Sequence, residues 1–280
     1  MQGPTPTCWF VGDPDDAWAA AIAAALPGGT RRIPCAGDLP GAWPDGAIPA
    51  TVVLHRPRIG PSDAESLRRL RARRNPPPRV VLCVGPHARA HQFDRWCGLA
   101  DVVLPEATAQ ETVARHVGIP APAAGPPPAV AVVVADFELR RTLADLLRAA
   151  GFPAEPARGW PDAAPELPAV WDVPVLDPDW PSVLSAQAAS RAVVTLLGFA
   201  DRATVGLARA GGAAACLDLP CDADDLTFVL DRLARRPAAR RRGEPAHALP
   251  PAPAAWRRRP RSVQEQSLSR REVADPRPNS

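Results

Sequence analysis

Short runs of β-branched and apolar residues alternate along this chain with stretches of helical periodicity. In the first half, CWFV at 8–11 predicts a strand. It is followed by the acidic DPDD and an alanine-rich helix. RRIPC predicts a weak second strand and ATVVLH at 50–55 a third. DAESLRRLRARR at 63–74 places its leucines on one helical face. RVVLCV at 79–84 is a fourth strand, with a helix expected through ARAHQFDRWCGL. DVVL at 101–104 is the fifth, and TAQETVARHV closes the half as a helix.

The second half repeats this order. AVAVVV at 129–134 is a strand, and ELRRTLADLLRAAG a helix that Gly151 should stop. A weak strand falls near FPAEP; AVWDVPVL at 169–176 and RAVVTLL at 191–197 follow as the third and fourth. RATVGLARAG predicts a helix, AAACLDL at 213–219 the fifth strand, and DADDLTFVLDRLARR the last helix. Landmarks recur at matching intervals. Strand 1 ends Val11-Gly12-Asp13 in one half and Val134-Ala135-Asp136 in the other. Strand 5 ends Leu104-Pro105 and Leu219-Pro220. Strands alternating with helices predict an α/β class with parallel sheets. The repeat predicts two (βα)5 domains, over 1–118 and 129–235, joined by the proline-rich 119–128.

Charge separates a further region. Residues 236–280 hold 11 arginines, 4 acids and 8 prolines, a net +7, while 1–235 carries −4. So little apolar surface cannot offset ordering entropy, and a disordered basic tail is expected over 236–280. Its RRR at 240–242 and RRRPR at 257–261 leave contact with nucleic acid or another acidic partner open. No aromatic stacking platform or base-reading motif accompanies them.

All 33 basic residues are arginine. Without lysine there is no Walker A loop, no Schiff-base chemistry and no protein-kinase site. The six cysteines form no C-x-x-C pair and sit mostly in apolar runs, which predicts buried thiols in a reducing compartment. No signal peptide or spanning segment is evident, so a cytoplasmic protein with no membrane association is expected.

The segments VVVADFELRRTLADLLRAAGF, WDVPVLDPDWP and FADRATVGLARAGGAAACLDLPCDADDLTFVLDRLA together resemble the receiver domain of two-component response regulators. The likeness covers 129–235 and is fainter over about 7–118, which reads as a degenerate second copy. The resemblance implies two flavodoxin-like domains, with a site outside the strand ends where the strand order switches. A receiver takes a phosphoryl group on an aspartate ending strand 3, and acids ending strand 1 hold Mg²⁺ there. A hydroxyl after strand 4 and a lysine after strand 5 contact the phosphate.

Carried over residue by residue, Asp177 falls at the phosphoacceptor position and Asp136 at one strand-1 acid. Ala135 stands where the second acid belongs, and Glu138 is a substitute at imperfect spacing. The hydroxyl position holds Leu197, with Thr195 two residues early on the same strand face; the lysine position holds Leu219. In the first copy the corresponding positions are His55, a residue near Val84, and Leu104; Asp13, Asp15 and Asp16 read equally as a helix start. Pro174, inside the expected third strand, removes a ladder donor and demands a bulge or an early end.

Two functions stay open. One is a tandem pseudo-receiver that binds a protein partner, needs no cofactor and is not an enzyme. The other is a phosphoacceptor modified on Asp177 by a histidine kinase, with Mg²⁺ at Asp136 and Asp177. Leucine at both lysine positions favours the first, because arginine was freely available to keep a cation there. No dinucleotide fingerprint or nucleophile elbow supports a different enzyme, and no helix-turn-helix follows to read DNA. Trp160, Trp171 and Trp180 surround strand 3, as core or, if exposed, as a partner surface.

Overall fold

A computed structural model describes residues 8–36, 39, 43, 48–58, 60–85, 98–119, 126–198 and 201–234. The first lobe contains strands β1 (Cys8–Gly12), β2 (Arg31–Pro34), β3 (Thr51–Arg56), β4 (Arg79–Val84) and β5 (Val102–Pro105). Its helices are α1 (Ala17–Ala24), α2 (Pro61–Ala72) and α3 (Glu106–His116). The second lobe contains β6 (Val130–Val133), β7 (Ala154–Ala157), β8 (Ala169–Asp172), β9 (Val193–Gly198) and β10 (Ala215–Leu219). Helices α4 (Phe137–Ala149), α5 (Trp180–Ala188), α6 (Arg202–Ala210) and α7 (Ala223–Ala234) alternate with them.

Both sheets are parallel and have the same order, β2-β1-β3-β4-β5 and β7-β6-β8-β9-β10. This is the flavodoxin-like order, with the chain reversing direction across the sheet between β1 and β3, and again between β6 and β8. The near-continuous apolar strands follow from burial on both faces. In the second sheet Val130 and Val132 face α4 and α7, while Val133 and Trp171 face α5 and α6.

The helices start and stop where local chemistry dictates. Asp16, Asp136 and Asp201 each accept a backbone N–H of the first turn of α1, α4 and α6, all at 2.8 Å. After α4 the chain turns at Gly151 with φ +89°, as the sequence predicts. Gly212 plays the same role after α6.

The third strand of the second lobe is shorter than its apolar run. It was expected over 169–176 and ends at Asp172. The Val173 N–H still donates to the Leu196 carbonyl at 3.0 Å, but Pro174 has no N–H to continue. Val175–Asp179 then forms a turn, with Val175 N donating to Val173 O and Asp177 N to Pro174 O, both at 2.8 Å. Residues 88–97 of the helix expected through ARAHQFDRWCGL, and the tail over 236–280, lie outside the described residues, and Gly98 and Leu99 form a turn.

The lobes pack on each other through α3. Thr108 Oγ1 accepts the outward-facing Asp218 N–H of edge strand β10 at 3.0 Å, so the first lobe covers that edge. Glu111 pairs with Arg209 and Arg232, and Arg115 and His116 both meet Asp225. Trp18 and Ala107 of the first lobe are buried in the same apolar cluster as Trp171, Leu184 and Leu197. Among the described residues no helix is long and apolar enough to cross a membrane.

Candidate functional site

The carboxyl ends of the two sheets have opposite characters. In the second lobe β6 and β8 are neighbours, with Val133 opposite Trp171. Asp136 and Asp172 therefore leave the sheet side by side. Burial pushes the Asp172 carboxyl above the usual aspartate range, and the nearby Asp136 charge adds to it. Among the described residues, Asp172 has no ion pair or side-chain hydrogen bond. Asp136 caps α4, and Arg140 from that helix folds back to donate to Val134 O at 2.6 Å and Ala135 O at 3.0 Å. Glu138 is exposed on the first turn of the same helix.

Asp177, expected at the end of strand 3, lies five residues past it. It is exposed, and its Oδ1 accepts the Asp179 N–H at 2.9 Å, closing the turn. The residue at the strand end is Asp172, which the apolar run WDVPVL conceals and which Pro174 alone signals. Leu197 is fully buried and Leu219 half-buried. Thr195 donates its hydroxyl to Ala215 O at 3.2 Å, within the sheet and away from the strand ends. The structure brings Asp136 to Asp172. Two carboxylates side by side fit a Mg²⁺ that takes its remaining ligands from water and phosphate. Among the described residues, no cluster of three or more His, Cys, Asp or Glu side chains is placed to hold a metal.

In the first lobe the strand ends are filled. His55 is buried, and its Nε2 lies 3.2 Å from Glu106 Oε2. Its Nδ1 is buried and has no described hydrogen-bond partner. Arg202, the first residue of α6 in the second lobe, enters from outside. Its Nε and Nη2 reach the two Glu106 oxygens at 2.8 Å each, and Nη2 reaches Asp16 at 2.8 Å. The guanidinium also lies 5.4 Å from the Trp18 ring centroid, and Arg209 lies 5.7 Å from it.

Burial alone would raise Glu106, but the Arg202 fork, with His55 behind it, holds its carboxyl below the usual range. Asp16 is likewise lowered against its burial by Arg202, the Trp18 N–H and His55. Both then push the Arg202 guanidinium pKa upward, against its own burial. Leu104, at the lysine position, is buried in the lobe's own core. No periodicity or motif pointed to Glu106 or Arg202, because their meeting joins residues 96 positions apart in different lobes.

Trp171 and Trp180 are buried, and Trp160 packs edge-on against Trp171 at 5.3 Å, so this tryptophan cluster belongs to the core. Arg191 covers the outer Trp160 ring at 5.4 Å.

No family model matches the chain, and no curated relative matches it. Among solved structures, it is similar to the C-terminus of E. coli RcsC, which contains a linker region and a phosphoreceiver domain. That match has 15% identity and a TM-score of 0.33, and covers 84% of this chain and 95% of the other. It is similar also to full-length ShkA in complex with AMPPNP, at 15% identity and a TM-score of 0.30, covering 84% of this chain and 53% of that one. With TM-scores this low these are distant likenesses; the strand orders and registers define the fold.

Proposed function

We propose that the chain is a tandem pseudo-receiver: two receiver-like folds fused into one binding module of a signalling system, recognising a protein partner without catalysis. The observation that carries this reading is Arg202. A side chain of the second lobe occupies the strand ends of the first, bound by Glu106 and Asp16. The site that a receiver keeps open for a phosphoryl group serves here as a joint between lobes. The second lobe supports the same reading, because leucine stands at both phosphate-contacting positions and the Thr195 hydroxyl is spent in the sheet. A phosphoryl group would lose charge-assisted contacts each worth roughly 1.5–3 kcal/mol.

The juxtaposed Asp136 and Asp172 favour a second reading, in which a histidine kinase phosphorylates the second lobe and Asp136 holds Mg²⁺. Under it the acceptor is Asp172 by its place at the strand end, or Asp177 by its sequence pattern. Incubation with Mg²⁺ and acetyl phosphate, followed by intact mass, separates the readings. The expected result is no adduct on the full chain. A single phosphoryl adduct lost in Asp172→Ala or in Asp177→Ala would overturn the pseudo-receiver reading and name the acceptor.

A further inference from the structure

We infer that the carboxyl end of the second sheet is the docking surface, and that its partner is a basic, amphipathic segment of another protein. This rests on the binding-module reading and gives that module its face and the chemistry of what it binds.

Four large apolar side chains are exposed among the described residues, and three of them gather at this end: Phe137 at 59%, Val175 at 37% and Leu176 at 96%. Phe137 follows β6 and the other two follow β8, which are hydrogen-bonded neighbours. A leucine left almost wholly in water has no role in the core, so its place on this rim is a cost to the free protein that a partner removes.

The loop carrying Val175 and Leu176 is held in advance. Pro174 and Pro178 fix two backbone angles, and the turn hydrogen bonds from Val175 N and Asp177 N fix its path. The Asp177 carboxylate, accepting from Asp179 N, closes it. A preformed loop loses little entropy on binding, which favours recognition through it.

The surrounding charge selects the partner. Asp136, Glu138, Asp177 and Asp179 are exposed around the patch, and half-buried Asp172 ends β8 beside it. Arg140 lies 5.6 Å from the Phe137 ring and is already bonded to two backbone carbonyls, and exposed Arg158 follows β7 one strand away. Such a rim repels acidic peptides, nucleic acid and anionic lipid. It also disfavours a second copy meeting this face with its own, since a two-fold contact sets carboxylates against carboxylates. Arginine or lysine flanking bulky apolar anchors satisfies both the rim and the patch. A seated partner would cover Asp172 from any phosphodonor.

The test replaces Leu176 in the full chain with a photo-crosslinking residue, and in a parallel chain Leu207, the fourth exposed side chain, on α6. Crosslinked peptides are identified after irradiation in the producing cells, and again in extract at low and high salt. The expected result is one partner segment of net positive charge captured at 176 and not at 207. Capture should fall about tenfold at high salt, because the attraction is screened. It should fall at least as far in Phe137→Asp, whose melting temperature should match the parent chain.

A captured segment that is acidic or uncharged, a crosslink to residues 235–280 or to a second copy, or indifference to Phe137→Asp would each overturn the inference. Capture at 207 alone would overturn this surface and leave the binding-module reading standing. A phosphoryl adduct in the acetyl phosphate experiment overturns that reading, whatever is captured at 176. Capture at neither position overturns the surface alone.

Discussion

The two lobes share one strand order and differ in what fills the space beyond it. At the end of the first sheet, Glu106, Asp16 and His55 close around an arginine supplied by the other lobe. At the end of the second, the Asp136 charge opposes ionisation of Asp172, beside exposed Phe137 and Leu176. The same fold thus turns the carboxyl end of its sheet inward once and outward once. A parallel sheet supplies the position, and the side chains that reach it decide whether it becomes a joint or a surface.

The largest expected effect breaks the inward end. Trp18 is 6% exposed, packed into the second lobe's core and flanked by Arg202 and Arg209. Trp18→Ala should cost about 3–5 kcal/mol in chemical denaturation, and should split a single unfolding transition if the joint is what couples the lobes.

Arg202→Met should cost less, about 2–3 kcal/mol. It leaves buried Glu106 with His55 as its remaining side-chain contact, and the Arg202 side chain is itself 38% exposed and partly screened. The pH dependence identifies the mechanism. Glu106 and Asp16 are held below their ordinary values, so the stability they supply is present above the usual carboxylate range. It is lost as pH falls through the depressed folded values. The parent chain should therefore lose stability in acid more steeply than Arg202→Met, and parallel curves would refute the clamp.

Thr108→Val should cost about 1–2 kcal/mol, by leaving the buried Asp218 N–H without its acceptor. It should leave the charged cluster at Arg202 intact, which unchanged acid sensitivity would show.

At the outward end the sign reverses. The Asp172 carboxyl is raised, so it ionises first in the unfolded chain and costs stability as pH rises above the ordinary aspartate range. Asp172→Asn should melt slightly higher than the parent at pH 7 and converge with it in acid. A lower melting temperature at pH 7 would mean that the ionised carboxylate is paired. Asp177→Asn should change stability by no more than about 0.5 kcal/mol, since only an exposed turn contact is altered.

Much of this was legible along the chain. The ten strands and the terminal helices of both lobes fall close to where periodicity put them, and Gly151 stops α4 as expected. The candidate site was only partly legible. Asp136 was identified, but strand 3 read as one apolar run to Leu176, which moved the strand-end aspartate to Asp177. Pro174 marked the contradiction, and the structure resolves it by ending the strand at Asp172. Glu106 read only as a helix residue and Arg202 as an ordinary helix start.

The sequence by itself determined the alternation of strand and helix, the duplication, and the absence of a cation at Leu104 and Leu219, because these are properties of local spacing and residue type. The tertiary structure decided which carboxylates meet a charge. Arg202 reaches Glu106 only because α3 lies along the open edge of β10. Such contacts depend on the docking of two finished folds, and no local pattern along either one encodes the other's approach.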